Sequence, residues 1–553
     1  MTDRRRLVTL AVTMGVLLVT ICSAAGPDFP RVITYIPWGQ PADEIARFSA
    51  VMGGWAPPGG VDAVRAAGAD ILIFDAVSGC EMGFDPSPGA NNQYVASLPA
   101  AWFLTQVGSA LSEPVDESTT AFPVEATVIS GDRGPLVLFV PGDQLIIDGE
   151  SVVVTAVDHE TRRLTVERGY VRPASAHAAG TRLAPLIMAW PNSWVMNLAT
   201  TCPEAVMDET VGEETYAEHH ARRITEHYNT EAFDGLFIDR AEQTVSGHLW
   251  LPNVRSIDID QSNQLRDYGA VDEEWSAGVR GFFSHLRQQL GERDILYANR
   301  GAFNPDLVNG CHFEAFPMDD GTTYGTEPWE SVMFGPTGYL AWVEGVRGNP
   351  GPTAATVPRQ PFVVIQTYRD ESVPRAEDGE AGIDELRDRA AVQDAAAIGF
   401  DLRKLRFGLG TALLSDGYFS FETGTFAASW HRLYWFDEYD NAGNGRGYLG
   451  QPLGDAFGVE SVVVQNRSEQ RRANQPDPAP IPSPTPAALG VWRRDFEGGI
   501  VLVNSDVVAR RVELGGVYRR IDGTQDPDVN DGSRARRVDL PPLDAIILLR
   551  VGR

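Results

Sequence analysis

The sequence predicts an α/β protein built on a (β/α)8 barrel, in which eight parallel strands alternate with helices. Two observations predict this fold. Short apolar runs alternate with amphipathic helical segments along most of the chain. Several of the runs stop on a polar side chain, as FDGLFIDRAE does at Asp239. No glycine-rich phosphate motif follows any of them, which argues against an open dinucleotide-binding sheet.

Eight segments are assigned to the barrel strands in chain order. They are Arg31–Gly39, Asp70–Gly79, a unit that begins in Ala100–Leu111, Phe233–Glu242, Asp294–Gly301, Gly310–Asp320, Pro361–Asp370 and Leu409–Asp416. The apolar spacing predicts helices in the segments between them, which are Val61–Ala67, Gly212–Tyr228, Trp275–Leu290 and Ile383–Ile398.

Three further segments interrupt or follow the barrel. Residues 120–185 alternate apolar and polar side chains between Gly-Asp and Asp-Gly turns, which predicts an inserted module of short antiparallel strands. Residues 457–487 form a proline-rich linker. Residues 488–553 alternate strands and turns, which predicts a C-terminal antiparallel β-sandwich. The barrel itself is then divided into residues 26–119 and 186–456.

The N-terminus is typical of an export signal. Three arginines precede the apolar run from Leu7 to Ile21, and small residues follow, which predicts a signal peptide over residues 1–25. Cys22 suggests lipid attachment instead, although the bulky Ile21 argues against that alternative. The expected location is therefore outside the cell or at its surface, without stable insertion in the membrane.

Charge and cysteine content narrow the function classes. The 553-residue chain carries a formal charge of −29, which argues against nucleic acid as a partner because phosphates are repelled. Cys80, Cys202 and Cys311 match no zinc spacing, and neither a metal nor another cofactor is expected. A disulfide between Cys80 and Cys202 is compatible with their predicted positions after strands.

Polar and aromatic side chains gather at the predicted carboxyl ends of the strands, the edge at which barrel enzymes carry their chemistry. Carboxylates, amides and aromatic rings together suit a cleft that binds sugars. The residues assigned to substrate binding are Tyr35, Trp38, Asp75, Trp190, Asn197, Glu242, Asn299, Arg300, Gln366, Tyr368, Asp416 and Glu422.

Asp239 and Glu314 are the expected catalytic pair. Cleavage of a glycosidic bond requires one carboxylic acid that protonates the leaving oxygen and one carboxylate that attacks or activates water. We expect Asp239 to be the nucleophile or base and Glu314 the proton donor, with Asp75 and Glu242 as alternatives. Structural roles are the competing interpretation: Asp239 would then pair with Arg240, and Glu314 with Arg300.

Several motifs resemble hypothetical glycosyl hydrolase family 15, among them FDGLFIDRAE, YANRG with HFEAF, and WFDEYDNAG with YLGQPLG. The resemblance implies a secreted TIM-barrel enzyme with a C-terminal β domain that hydrolyses a polysaccharide. The expected function is therefore a glycoside hydrolase acting on an extracellular or cell-surface polysaccharide. The alternatives are a noncatalytic carbohydrate-binding or surface-assembly protein, and a hydrolase of another bond such as a metal-dependent deacetylase.

Overall fold

The structure of the protein is a computed structural model. It describes residues 28–35, 40–53, 59–87, 90–131, 134–251, 253–291, 294–301, 303–314, 316, 329–349, 359–368, 402–422, 433, 435–464 and 490–551. The predicted signal peptide and the predicted helix Ile383–Ile398 lie outside these residues.

An eight-stranded parallel sheet forms the centre of the fold and curves into a barrel. Its strands, in chain order and in order around the sheet, are β1 (Ile33–Tyr35), β2 (Ala50–Met52), β3 (Leu72–Ser78), β4 (Gly235–Asp239), β5 (Ile295–Asn299), β6 (Gly310–Phe313), β7 (Val364–Tyr368) and β8 (Tyr418–Glu422). A parallel bridge between Val32 and Phe419 joins the first strand to the last. The Phe419 amide donates to the Arg31 carbonyl oxygen at 2.9 Å.

Alternation along the strands separates the barrel interior from the helical layer. Phe74, Phe237, Tyr297, Phe362 and Tyr418 belong to one buried cluster that fills the barrel, and their rings contact one another across it. Because neighbouring strand residues face opposite sides, side chains two positions farther along point inward as well. Position 239 on β4 and position 299 on β5 therefore face the barrel axis.

Nine α-helices and two 3₁₀ helices are found in the described part of the chain. The α-helices are Ala42–Ile45, Gly60–Ala67, Gln93–Ser97, Tyr216–His227, Tyr268–Gln289, Trp329–Phe334, Tyr339–Gly348, Leu402–Leu413 and Asp437–Asp440, and the 3₁₀ helices are Ala100–Trp102 and Ser246–Trp250. The predicted helices at Val61–Ala67, Gly212–Tyr228 and Trp275–Leu290 are each found, although the second begins later, at Tyr216, and the third begins earlier, at Tyr268. None of the helices among these residues is long and apolar enough to cross a bilayer.

A six-stranded antiparallel sheet interrupts the barrel between β3 and β4. Its strands are Ser109–Ala110, Ala121–Pro123, Gln144–Ile147, Glu150–Asp158, Arg163–Glu167 and Arg182–Pro185. Three separate two-stranded pairs accompany it: Val128–Gly131 with Gly134–Val137, Glu81–Gly83 with Ser193–Val195, and Ala205–Asp208 with Gly212–Glu214. The six-stranded sheet has its own buried core, which includes Val107, Phe122 and Leu183.

A seven-stranded antiparallel sheet follows the barrel. Its strands are Phe457–Val459, Val462–Val463, Val491–Asp495, Gly499–Asn504, Arg510–Arg520, Arg534–Leu540 and Asp544–Arg550. The first two lie in the segment that was predicted to be a linker. Helix Leu402–Leu413 packs against this sheet, and Arg406 forms a buried ion pair with Asp544 at 3.0 Å. The C-terminal antiparallel sheet is thus present, whereas its division into two sandwich layers stays a prediction.

Two strand assignments were wrong. The Ala100–Leu111 segment is not a barrel strand, because it contains the 3₁₀ helix Ala100–Trp102 and the inserted-sheet strand Ser109–Ala110. The second barrel strand is instead Ala50–Met52, which three residues were too few to reveal in the sequence. Leu409–Asp416 is not the eighth strand, because it lies in the end of helix Leu402–Leu413 and the turn after it. That helix is buried on nearly all sides between the barrel and the C-terminal sheet, so its apolar run resembles a buried strand.

Helix Tyr268–Gln289 provides a test of packing that has an internal control. A Cβ atom added at Gly278 would lie 1.8 Å from the Leu198 carbonyl oxygen, whereas one added at Gly281 meets nothing within 4 Å. We expect Gly278→Ala to lower the free energy of unfolding by about 3 kcal/mol. Gly281→Ala should raise it by about 0.5–1 kcal/mol, since alanine favours helix. Denaturant unfolding of both variants measures these changes, and equal effects would contradict this packing.

Candidate active site

Three neighbouring barrel strands deliver three polar side chains to one place. Asp239 is the last residue of β4, Asn299 is the last residue of β5, and Glu314 directly follows β6. The parallel register pairs Ile238 with Ala298 and Asn299 with His312, so the three strands end at nearly the same level. The prediction that Asp239 and Glu314 converge at the carboxyl edge of the barrel agrees with this arrangement.

The side-chain amide of Asn299 links the two carboxylates. Its nitrogen Nδ2 donates to Asp239 Oδ1 at 3.0 Å and to Glu314 Oε2 at 2.7 Å. A carboxylate can only accept, so the amide orientation follows from the chemistry of its neighbours. The two carboxylate oxygens share one nitrogen and therefore lie no more than about 5.7 Å apart.

The environment of Asp239 favours its protonated form. Burial and the negative charge of Glu314 raise the pKa of Asp239 to about 6, against the hydrogen bond from Asn299, which lowers it. The backbone amide of Arg240 also donates to Asp239 Oδ1, at 3.0 Å. A carboxyl group with this pKa exchanges its proton near neutral pH, as a general acid or base must.

An ion cluster beside Asp239 was only partly visible in the sequence. The Arg240 guanidinium lies between Glu81 and Glu242, with nitrogen–oxygen distances of 2.8 Å to each. Burial raises the pKa of Glu81 to about 7, and the charges of Asp239 and Glu242 act in the same direction, while Arg240 opposes them. Arg240 thus pairs with Glu81 and Glu242 and not with Asp239, the partner that the competing structural interpretation required. Glu81 was not predicted as part of the site because it precedes Arg240 by more than 150 residues.

A floor of aromatic and polar side chains lies beneath the carboxylates. His312 is buried two residues before Glu314, and its Nε2 lies 2.9 Å from Gln366 Oε1. The Tyr35 ring contacts the rings of Phe237 and His312, at centroid distances of 6.1 and 5.7 Å. Gln366 is thus buried below the carboxylates, whereas Tyr35, at the end of β1, is partly exposed. His312 was not among the predicted site residues.

The backbone turns sharply after two of the three strand ends. Arg240 and Arg300 have φ angles of 54° and 41°, a conformation that non-glycine residues rarely adopt. Arg300 donates from its amide nitrogen to the His312 carbonyl oxygen at 3.1 Å and from Nη2 to the Glu314 carbonyl oxygen at 2.7 Å. These two hydrogen bonds hold the backbone of Glu314 beside β5. The positive φ angles of Arg240 and Arg300 are a form of backbone strain that is concentrated at functional sites.

Three residues assigned to the cleft lie elsewhere. Asp75 is not at a strand end, because β3 continues to Ser78, and its side chain faces away from the barrel interior that its neighbour Phe74 occupies. Asn197 is fully buried and donates to the Ile259 carbonyl oxygen at 2.6 Å. Asp416 precedes β8 at the opposite end of the barrel and pairs there with Arg494 at 2.6 Å. These three placements correct the prediction.

The remaining assigned residues have varied positions. Tyr368 and Glu422 are the last residues of β7 and β8 and pair with each other in the sheet. Trp190 is partly buried in the loop before Ser193–Val195, whereas Trp38 lies outside the described residues. The Cys80–Cys202 disulfide that the sequence left open is not formed, since both thiols are free and buried. One group of possible metal ligands occurs among the described residues, formed by Cys80, Glu242 and His248.

A family model described as hypothetical glycosyl hydrolase family 15 matches residues 176–473, more than half of the chain. The chain belongs to this family. The matched region includes β4 to β8 and therefore Asp239, Asn299 and Glu314. Membership in this family supports a glycoside hydrolase.

Solved structures show a weak similarity to this chain in both sequence and fold. The glycoside hydrolase domain of PelA from Pseudomonas aeruginosa has 14% identity and a TM-score of 0.32, over 73% of this chain and 97% of that domain. A structure described as a glycoside hydrolase has 9% identity and a TM-score of 0.23, over 60% of this chain and 67% of its own. No curated protein matches the chain in sequence. Similarity at these TM-scores does not bear on the chemistry of the site.

Because the pKa of Asp239 is raised, we expect ionised Asp239 to lower the free energy of unfolding at neutral pH. Asp239 binds its proton more tightly in the folded chain, so the parent loses stability as pH rises from about 4 to about 6. Asp239→Asn keeps an oxygen that accepts from Asn299 and removes the charge. We expect it to be more stable than the parent by about 2 kcal/mol at pH 7.5 and equally stable near pH 3.5.

Denaturant unfolding at the two pH values measures the difference, with Asp306→Asn as the control. The Arg280 guanidinium lowers the pKa of Asp306, so its pairing stabilises the fold above the unfolded pKa and is lost as pH falls. The control should therefore gain no stability at pH 7.5. A destabilised Asp239→Asn variant at that pH would contradict the unfavourable environment inferred for Asp239.

Proposed function

We propose that the protein is a secreted glycoside hydrolase that cleaves an extracellular or cell-surface polysaccharide with Asp239 and Glu314. The observation that carries the proposal is the hydrogen bonding of one Asn299 nitrogen to both carboxylates. This contact keeps two acids close at the edge of a barrel where substrate can reach them. Family membership supports the same reaction class.

The roles of the two carboxylates follow from their environments. Asp239, with a pKa of about 6, can carry a proton near neutral pH and is assigned as the acid that protonates the leaving oxygen. Glu314 is assigned as the nucleophile, because Asn299 Nδ2 donates to its oxygen at the shorter distance. This assignment reverses the sequence-based expectation, which relied on Phe313 and Phe316 to desolvate Glu314.

The spacing favours a mechanism that retains the anomeric configuration. Retaining enzymes hold their carboxyl groups roughly 5–5.5 Å apart and inverting enzymes roughly 6.5–9.5 Å apart. The bridged oxygens lie no more than about 5.7 Å apart, which is close to the retaining range and short of the inverting range. Glu314 would attack the anomeric carbon to form a glycosyl ester while Asp239 gives its proton to the leaving oxygen. Asp239 would then take a proton from the water that hydrolyses the ester.

The substrate would lie across the edge formed by the carboxyl ends of the strands. Tyr35 and Trp190 are partly exposed and offer ring faces to the apolar side of a sugar. Arg300 is assigned to hydroxyl recognition, whereas Gln366 is buried against His312 below the carboxylates and is assigned to supporting the site. Trp38, Tyr368 and Glu422 remain assigned to binding from their sequence positions. Secretion through residues 1–25, the domain boundaries and a two-layered C-terminal domain are parts of the same proposal.

Polysaccharide hydrolysis by matched variants tests the proposal. Release of reducing ends from a panel of bacterial, fungal and plant polysaccharides is measured for the parent, Asp239→Asn, Glu314→Gln and the control Asp75→Asn. We expect both site variants to lose at least about 100-fold in kcat, because each removes a group that takes part in bond cleavage. The control should keep parental activity, since Asp75 faces away from the barrel interior.

Binding measurements on the same panel separate the alternatives. A glycan that binds the parent without being hydrolysed would favour a noncatalytic carbohydrate-binding protein. Hydrolysis that survives Glu314→Gln and Asp239→Asn would place the catalytic acids elsewhere. Chelator-sensitive hydrolysis that persists in Asp239→Asn and in Glu314→Gln would favour the metal-dependent alternative.

A further inference from the structure

Three possible metal ligands converge behind the candidate active site. One ligand atom each from Cys80, Glu242 and His248 lies within 4.8 Å of the others. Cys80 lies in the loop after β3, Glu242 in the loop after β4, and His248 in the 3₁₀ helix Ser246–Trp250. The three residues therefore come from three separate segments of the fold.

Two side-chain atoms of these residues are buried and have no hydrogen-bond partner among the described residues. They are Glu242 Oε2 and His248 Nε2, and His248 is only 2% exposed. A buried polar atom that lacks a partner is costly, so natural proteins usually satisfy it. A cation placed between the two atoms would satisfy both at once.

The imidazole of His248 is held in the form that binds metals. Its Nδ1 lies 3.0 Å from the Val245 carbonyl oxygen, which can only accept, so Nδ1 carries the proton. Nε2 is then left with a free lone pair, and it has no hydrogen-bond partner among the described residues. A histidine ligand whose other nitrogen donates to a carbonyl is the usual arrangement in metal sites.

The charges around the cluster also favour a cation. Glu81, Asp239 and Glu242 surround the Cys80 thiol, and Arg240 is the opposing positive group. Arg240 occupies Oε1 of Glu242 at 2.8 Å, which leaves Oε2 available to a second cation. Three carboxylates against one guanidinium give a local excess of negative charge.

We propose that Cys80, Glu242 and His248 bind a zinc ion that ties the loops after β3 and β4 together behind Asp239. A thiolate, an imidazole and a carboxylate suit zinc, whereas magnesium and calcium prefer oxygen ligands. Tetrahedral zinc holds its donor atoms about 3.3–3.8 Å apart, so atoms up to 4.8 Å apart move closer by up to about 1.5 Å on binding. The fourth position is left to a water molecule.

The ion has a positioning role and does not take part in the reaction. Cys80 and His248 are 0% and 2% exposed, and only the Glu242 side chain, 29% exposed, is partly open to solvent, so a polysaccharide cannot reach the other two ligands. Zinc on Glu242 Oε2 would fix the carboxylate that holds Arg240 at Oε1. Arg240 in turn follows Asp239 in the strained turn at the end of β4.

Metal titration of the parent tests the site directly. The protein lacking residues 1–25 is stripped with a chelator and titrated with Zn²⁺ and, separately, with Co²⁺. We expect one equivalent of each to bind, a higher melting temperature with zinc, and a thiolate-to-cobalt charge-transfer band in the ultraviolet spectrum. Failure to bind either ion, or a cobalt complex without the thiolate band, would overturn the proposal.

Variants identify the ligands, and a matched cysteine serves as the control. Cys80→Ser and His248→Gln should each weaken zinc binding by about 100-fold or more, since even residues outside the ligand set change metal affinity 10–100-fold. Cys202→Ser should bind zinc as the parent does, because Cys202 is a free, buried cysteine outside the cluster. Unchanged zinc affinity in Cys80→Ser would overturn the assignment. If Cys80→Ser does not fold, the thiolate-to-cobalt band of the parent protein still shows whether a cysteine binds the metal.

Discussion

The hydrogen bonds from Asn299 to Asp239 and Glu314 are the interaction on which the site depends. Two carboxylates this close repel each other, and a single amide nitrogen with two protons stabilises both without adding a charge. The repulsion is not removed, and it helps to keep the pKa of Asp239 near 6. The contact therefore sets the distance between the two acids, while burial and the charge of Glu314 make Asp239 able to hold a proton.

The barrel supplies this contact through strand register. Three adjacent parallel strands end at one level, so inward-facing residues at their ends become neighbours although they are far apart in the chain. The turns at Arg240 and Arg300 then take the backbone away from the barrel axis immediately after the site residues. Arg240 turns back to Glu81 and Glu242, and Arg300 holds the backbone of Glu314. Both arginines thus support the acids without adding a positive charge between them.

The sequence predicted strand positions well where a single segment contains both the apolar run and the polar residue that ends it. The apolar runs before Asp239, Asn299 and Glu314 revealed their strands, and the carboxyl-edge rule brought them together. Prediction from the sequence failed where a strand was very short and where a helix was buried on nearly all sides. Ala50–Met52 is too short to be recognised, and the apolar run ending near Asp416 belongs to a buried helix. Glu81 and His248 were missed for another reason: their contacts join segments far apart in the chain, and neither lies in a motif that a single segment could show.

The most direct test of the central claim is to identify the carboxylate that becomes covalently attached to sugar. Once a substrate sugar is known, its 2-deoxy-2-fluoro glycosyl fluoride is reacted with the protein, and the labelled peptide is sequenced by mass spectrometry. A slowly hydrolysed ester on Glu314 is the predicted result, because the close pair favours retention with Asp239 as the acid. A label on Asp239 would reverse the two roles. Absence of any label, with products of inverted configuration, would contradict the close-pair mechanism.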